Sequence, residues 1–156
     1  MNKMRRETLR AGGSAGLLAV LATAGILRPC AVLAADWNKA AFEGKNLQDA
    51  LKALGASGPA STADIVMRAA DIAENGAVVP VGVESRIPGT ESISILIDKN
   101  PSPLAASFDI PAGTEPSVTT RVKMGQTSDV YALVKANGKY FMAKKEIKVT
   151  LGGCGG

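Results

Sequence analysis

The chain has 156 residues, 18 Lys or Arg against 14 Asp or Glu, two cysteines and no histidine. That length fits one domain. Without histidine there is no Ser-His or Cys-His nucleophile pair, no c-type haem attachment motif and little scope for a zinc site, and no glycine-rich phosphate loop follows a strand pattern.

The chain begins with Lys3, Arg5, Arg6 and Arg10, then an apolar stretch rich in Gly and Ala from Ala11 to Leu27, then small residues at Val32, Leu33 and Ala34. This is the layout of a cleaved export signal, residues 1–34, and it is short for a membrane anchor. Arg5-Arg6 followed by Leu9 and Arg10 resembles a twin-arginine signal, with Met4 and Thr8 departing from its pattern; a Sec signal holding two arginines is the alternative. Cleavage is expected after Ala34 or Ala35, delivering the protein to the periplasm. Arg28 and Pro29 before Cys30 argue against a lipoprotein cysteine. Residues 1–34 carry five of the basic residues (Lys3, Arg5, Arg6, Arg10, Arg28) and one acid, Glu7, so 13 of each sign remain. A net charge of zero gives no support for nucleic-acid binding and favours association.

In the mature chain, Leu47, Ala50, Leu51 and Leu54 fall at helical spacing, with Asn46 as the cap and Gly55 as the stop. The segment 56–61 reads as a loop. IVMRAADIA suits helix or strand, but the turn AENGA and the run VVPVGVES after it favour a strand, with Pro80 at an edge or bulge. Ile93, Ile95 and Ile97 alternate onto one face. NPSPLAASFDI is a proline-punctuated turn leading into a short strand. Val118, Thr120, Val122 and Met124 alternate with Thr119, Arg121 and Lys123. Residues 127–136 are apolar on both faces, so that strand is either central or covered by a partner. Asn137-Gly138 signals a tight hairpin. The last strand is expected from Lys139 to Leu151, with a bulge near Lys144-Lys145 where its parity breaks. About seven short strands at this spacing predict a mainly β, immunoglobulin-like β-sandwich over 35–151 with a short N-terminal helix.

The chain ends IKVTLGGCGG. Removal of the signal leaves Cys154 as the one cysteine, flanked by Gly152, Gly153, Gly155 and Gly156, so it has no internal disulfide partner. Glycines offer nothing to pack, and two of them carry the thiol roughly 10 Å beyond Leu151. Residues 152–156 thus read as a flexible arm that displays its thiol and could enter a narrow channel in another protein. A lone displayed thiol is a liability in an oxidising compartment unless it is used. Lys144, Lys145 and Lys148 are candidates to steer anions, with a solvated strand face as the plainer alternative.

KVTLGGCGG closely resembles the C-terminal arm of the SoxY family, the sulfur-carrier subunits of bacterial thiosulfate oxidation. AENGAVVPVGVES, the turn at Asn100-Pro101-Ser102-Pro103 and TRVKMGQTSDVYALV are similar to that family as well; Ala70 departs from it, where proline is common. The resemblance implies a non-enzymatic carrier on which Cys154 is the attachment residue. It implies a heterodimer with a SoxZ-like subunit and transient visits to a SoxAX cytochrome, the SoxB manganese hydrolase and a molybdenum–haem sulfane dehydrogenase. It also implies no resident cofactor beyond sulfur or thiosulfonate groups carried on Cys154. The alternative is a structural or adhesion-type sandwich whose Cys154 forms a disulfide between two copies. A thiol enzyme is weakest, since no His or second Cys is there to activate or resolve the thiol.

Overall fold

The computed structural model describes residues 38–150. The expected export signal, residues 1–34, and the arm, residues 152–156, lie outside them. The described residues fall within one of the chain's two compact units, Trp37–Gly156.

Two short helices come first, α1 (Lys39–Glu43) and α2 (Leu47–Ala53). Only α2 was legible in the sequence. Asn46 Oδ1 accepts from the Asp49 amide at 2.9 Å, and Gly55 takes a positive φ of 76° just past the helix end. Both follow from the unpaired backbone groups at helix termini. Asn38 caps α1 through the Ala41 amide and donates from Nδ2 to the Ala53 carbonyl at 2.8 Å, tying the helices together.

Nine strands follow, mainly β as expected: β1 (Ala60–Ser61), β2 (Ile65–Arg68), β3 (Ile72–Ala73), β4 (Val79–Ser85), β5 (Thr90–Ile97), β6 (Leu104–Asp109), β7 (Ser117–Val122), β8 (Ser128–Ala136) and β9 (Lys139–Val149). The larger sheet runs β1-β9-β8-β5-β6, with β3 also on β9; the smaller runs β2-β4-β7. Ile93, Ile95 and Ile97 of β5 share the core between the sheets with Val79, Val81 and Val83 of β4 and Val130, Ala132 and Val134 of β8. Burying each of these isoleucines and valines is worth about 1.5–3 kcal/mol.

A second cluster covers the opposite face of the larger sheet. Leu96, Leu104 and Leu133 pack there against Ala41, Ala50 and Leu51 of the helices. This accounts for the two-sided apolar pattern of β8. Its Val130 and Val134 face the smaller sheet, its Leu133 lies beneath the helices, and the protein's own layers cover both faces.

Asn137 and Gly138 turn the β8–β9 hairpin with φ of 49° and 70°, both in the left-handed region that a two-residue turn of this kind requires. The bulge expected near Lys144-Lys145 is absent. The register runs unbroken from Ser128↔Ile147 to Ala136↔Lys139. The sequence misled because Lys145 stands on the inward face with Phe141, Ala143 and Ile147. Its ammonium escapes through the sheet edge, donating to the Ala69 carbonyl and pairing with Asp71 at 3.0 Å. A long stem buried under a solvated head is ordinary lysine behaviour. The irregularities lie elsewhere: Glu91 is the extra residue of β5 between Thr90↔Ala136 and Ser92↔Lys135, and Ala105 is the extra residue of β6 between Ile95↔Ala106 and Leu96↔Leu104.

Pro80 sits in the middle strand of the smaller sheet, yet without loss. Ser85 donates to the Pro116 carbonyl, so the alternation of antiparallel pairs makes Pro80↔Arg121 a non-hydrogen-bonded pair. The proline nitrogen therefore faces the β2 side. There the ladder already ends at Arg68↔Gly82, and the next hydrogen-bonded position would set Ala70 against a residue with no N–H to give.

Candidate functional site

Cys154, Gly152, Gly153, Gly155 and Gly156 lie outside the described residues; the structure describes the ground from which they spring. Covalent geometry places Cys154 four residues beyond Thr150, hence within about 14 Å of it, at ~3.3–3.6 Å per residue.

That ground is built from three segments meeting at the end of β9. On one side, β3 pairs in parallel with it through Ile72↔Lys148 and Ala73↔Val149. Lys148 donates to the Asp71 carbonyl at 2.9 Å and Thr150 to the Ala73 carbonyl at 3.1 Å. On the other, the Val149 amide donates to Thr127 Oγ1 at 3.0 Å. Behind, Met124 donates to the Gly76 carbonyl at 2.7 Å. A side chain at Gly76 has no room: its Cβ would lie 2.4 Å from the Met124 carbonyl oxygen and 2.8 Å from Val149 Cγ1. Asn100 joins the third segment, donating from Nδ2 to the Lys123 carbonyl at 2.7 Å and accepting from the Gly125 amide at 3.4 Å. The turn at Asn100 and the MGQ turn therefore act as one unit. The last strand is held to its final residue, on both edges, by short polar contacts.

The three lysines offered as an anion-steering group do not form one patch. Lys145 is committed to Asp71 and Ala69. Lys144, on the opposite face, pairs with Asp129 at 3.3 Å, and that bond lifts its ammonium above the ordinary lysine value. Tyr131 beside it is raised above the ordinary phenol value, first by burial and then by Asp129 and Asp98. Among the described residues no three His, Cys, Asp or Glu side chains gather as a metal site.

The single strand expected over IVMRAADIA is two, β2 on β4 and β3 on β9, and sequence reading missed the roles of Gly76 and Thr127. A two-residue strand has no periodicity to detect. A glycine required by close approach looks like any other turn glycine.

The chain matches the family model of the sulfur oxidation protein SoxY over residues 50–154, a stretch that ends on Cys154. Among solved structures it is similar to the sulfur carrier protein SoxY from Chlorobium limicola f thiosulfatophilum, at 42% identity and a TM-score of 0.62, covering 68% of this chain and 97% of that one. It also aligns with the human F-spondin reeler domain at 13% identity and a TM-score of 0.36, covering 59% and 92%; that likeness is too slight to carry an argument. No curated protein matches. With two thirds of its length matched by one family model and by a structure of the same family, the chain belongs to the SoxY family of sulfur oxidation proteins.

Proposed function

We propose that the protein is a covalent carrier of sulfur in periplasmic thiosulfate oxidation, not itself an enzyme, with Cys154 as the point of attachment. The observation that carries this reading is the family match running through the terminal cysteine, joined to a strand end clamped at Val149 and Thr150. A fixed root and an arm of glycines let one thiol visit several active sites while the sandwich stays outside them.

The Cys154 thiolate and the sulfane end of thiosulfate join in an S–S bond, giving Cys–S–S–SO₃⁻ and releasing two electrons to a haem protein of the SoxAX kind. Water then cleaves the S–SO₃ bond on a SoxB-like hydrolase, leaving Cys–S–S⁻, sulfate and two protons. A sulfane dehydrogenase oxidises the outer sulfur with three waters to Cys–S–SO₃⁻, taking six electrons and releasing six protons, and a second hydrolysis of the S–SO₃ bond releases sulfate and returns the thiol. A free thiol has a pKa near ~8.5 and is only a few per cent thiolate at neutral pH, so reaction waits for a partner's site. The chain brings no cofactor of its own; the sulfur groups are its cargo. A SoxZ-like subunit is the stable partner in this reading, and the twin-arginine-like start supports export to the periplasm.

The test is Cys154→Ser in a reconstituted thiosulfate-oxidising system. The variant folds with an unchanged melting curve and supports no turnover. Normal turnover by it removes the carrier reading.

A further inference from the structure

We propose that β7 is a docking edge that takes an extended, acidic strand of another protein by antiparallel main-chain pairing. The proposal does not rest on the thiol.

The strand ends the smaller sheet, and among the described residues nothing pairs with its outer side. Its register with β4 is regular from Val79↔Val122 to Glu84↔Ser117. The Ser85 bond to the Pro116 carbonyl fixes the parity. Val118, Thr120 and Val122 therefore bond inward, while the N–H and C=O groups of Thr119 and Arg121 point out. No hydrogen bond among the described residues uses those outward groups.

The other edges are blocked by covering strands, a bulge or shortness, whereas this one carries only the outward charge of Arg121. The outer side of β9 is covered at both ends by β1 and β3, and Lys145 guards its middle. The β6 edge carries a register shift, and β2 is four residues long. Residues 117–122, SVTTRV, hold no proline, bulge or inward charge. Those are the usual devices against edge pairing.

Charge selects the occupant. Arg121 and Lys123 form no ion pair among the described residues, and no carboxylate occurs from 117 to 128. A shallow recess of about 480 Å³ lined by Pro80, Thr119, Thr120 and Arg121 opens on the same edge. An incoming strand with carboxylates on the Arg121 face and apolar residues on the other would neutralise the cation. Its apolar side would extend the core at Val118, which packs there already. A second copy fits less well, because in self-pairing about Thr120 each Arg121 faces Thr119 of the other copy, the two guanidiniums stand diagonally on one face, and residues 117–122 offer no acid to either.

The probe is a capped seven-residue peptide alternating valine and glutamate, titrated onto the mature protein under reducing conditions, with its valine–lysine counterpart as control. The acidic peptide should bind saturably and the basic one at least tenfold more weakly, and Arg121→Glu should reverse that order. Thr119→Pro, which removes an outward N–H and no internal bond, should weaken binding at least tenfold. If that variant fails to fold, an acidic peptide N-methylated at alternate residues should lose binding by the same factor. Absence of saturable binding, equal affinity for both peptides, or insensitivity to both the proline and the N-methyl groups overturns the proposal. A dimer of the chain alone, seen by sedimentation and lost in Thr119→Pro, would put a second copy on this edge and overturn it as well.

Discussion

Replacing Gly76 by alanine tests whether the end of β9 is as tightly built as the contacts imply. The added Cβ would stand 2.4 Å from the Met124 carbonyl oxygen and 2.8 Å from Val149 Cγ1. Neither can retreat freely: the first is backbone, and the second belongs to a strand residue held by Thr127 and paired with Ala73. The loop must move outward and give up the Met124–Gly76 hydrogen bond. Overpacking of this kind costs about 1–3 kcal/mol, and the lost bond adds about 0.5–1.5 kcal/mol. The sum, about 1.5–4.5 kcal/mol, corresponds to a melting temperature lower by roughly 6–20 °C for a domain of this size. Gly125→Ala is the internal control. It sits in the neighbouring turn, no atom lies within 4 Å of its Cβ position, and its stability should stay within about 0.5 kcal/mol of the parent. Thermal unfolding by circular dichroism reads both. Equal melting temperatures for Gly76→Ala and Gly125→Ala would refute the close-approach argument.

Tyr140 donates its hydroxyl to the Leu54 carbonyl at 2.6 Å, joining the end of α2 to β9; Tyr140→Phe should cost about 0.5–1.5 kcal/mol in urea unfolding. The Glu91 carboxyl is held below its ordinary value, first by Lys135 and then by the Gly138 amide. A depressed carboxyl contributes stability that is full above the ordinary value and lost as pH falls through the lowered one. The Gly138 amide resonance should therefore titrate with a midpoint below that of a free glutamate and become flat in Glu91→Ala; a midpoint at or above the ordinary value would contradict the contact.

Patterns of period two and turn chemistry made most of the sandwich legible. The isoleucines of β5, the alternation of β7 and the Asn137-Gly138 turn all stand where the sequence put them, because strand faces and positive-φ turns leave marks on single residues. The failures share a cause. Lys145 broke the apparent alternation although the backbone continues unbroken, since a lysine can occupy an inward position when its head finds a way out. Strands β1 and β3 are too short for a pattern, and they exist because β9 offers them an edge. The close packing at Gly76 depends on Met124 and Val149, distant in sequence. Of the candidate site, the thiol and its glycines were readable as a terminal motif, whereas the clamp beneath them exists only in three dimensions.

The most direct measurement of the central claim is intact-mass spectrometry of the mature protein from cells growing on thiosulfate, before and after reduction. The carrier account predicts sulfur and thiosulfonate additions, confined to Cys154 and removed by reductant. A bare thiol under every condition, or a disulfide-linked dimer with no small adduct, would contradict it and leave Cys154 as a crosslink between copies.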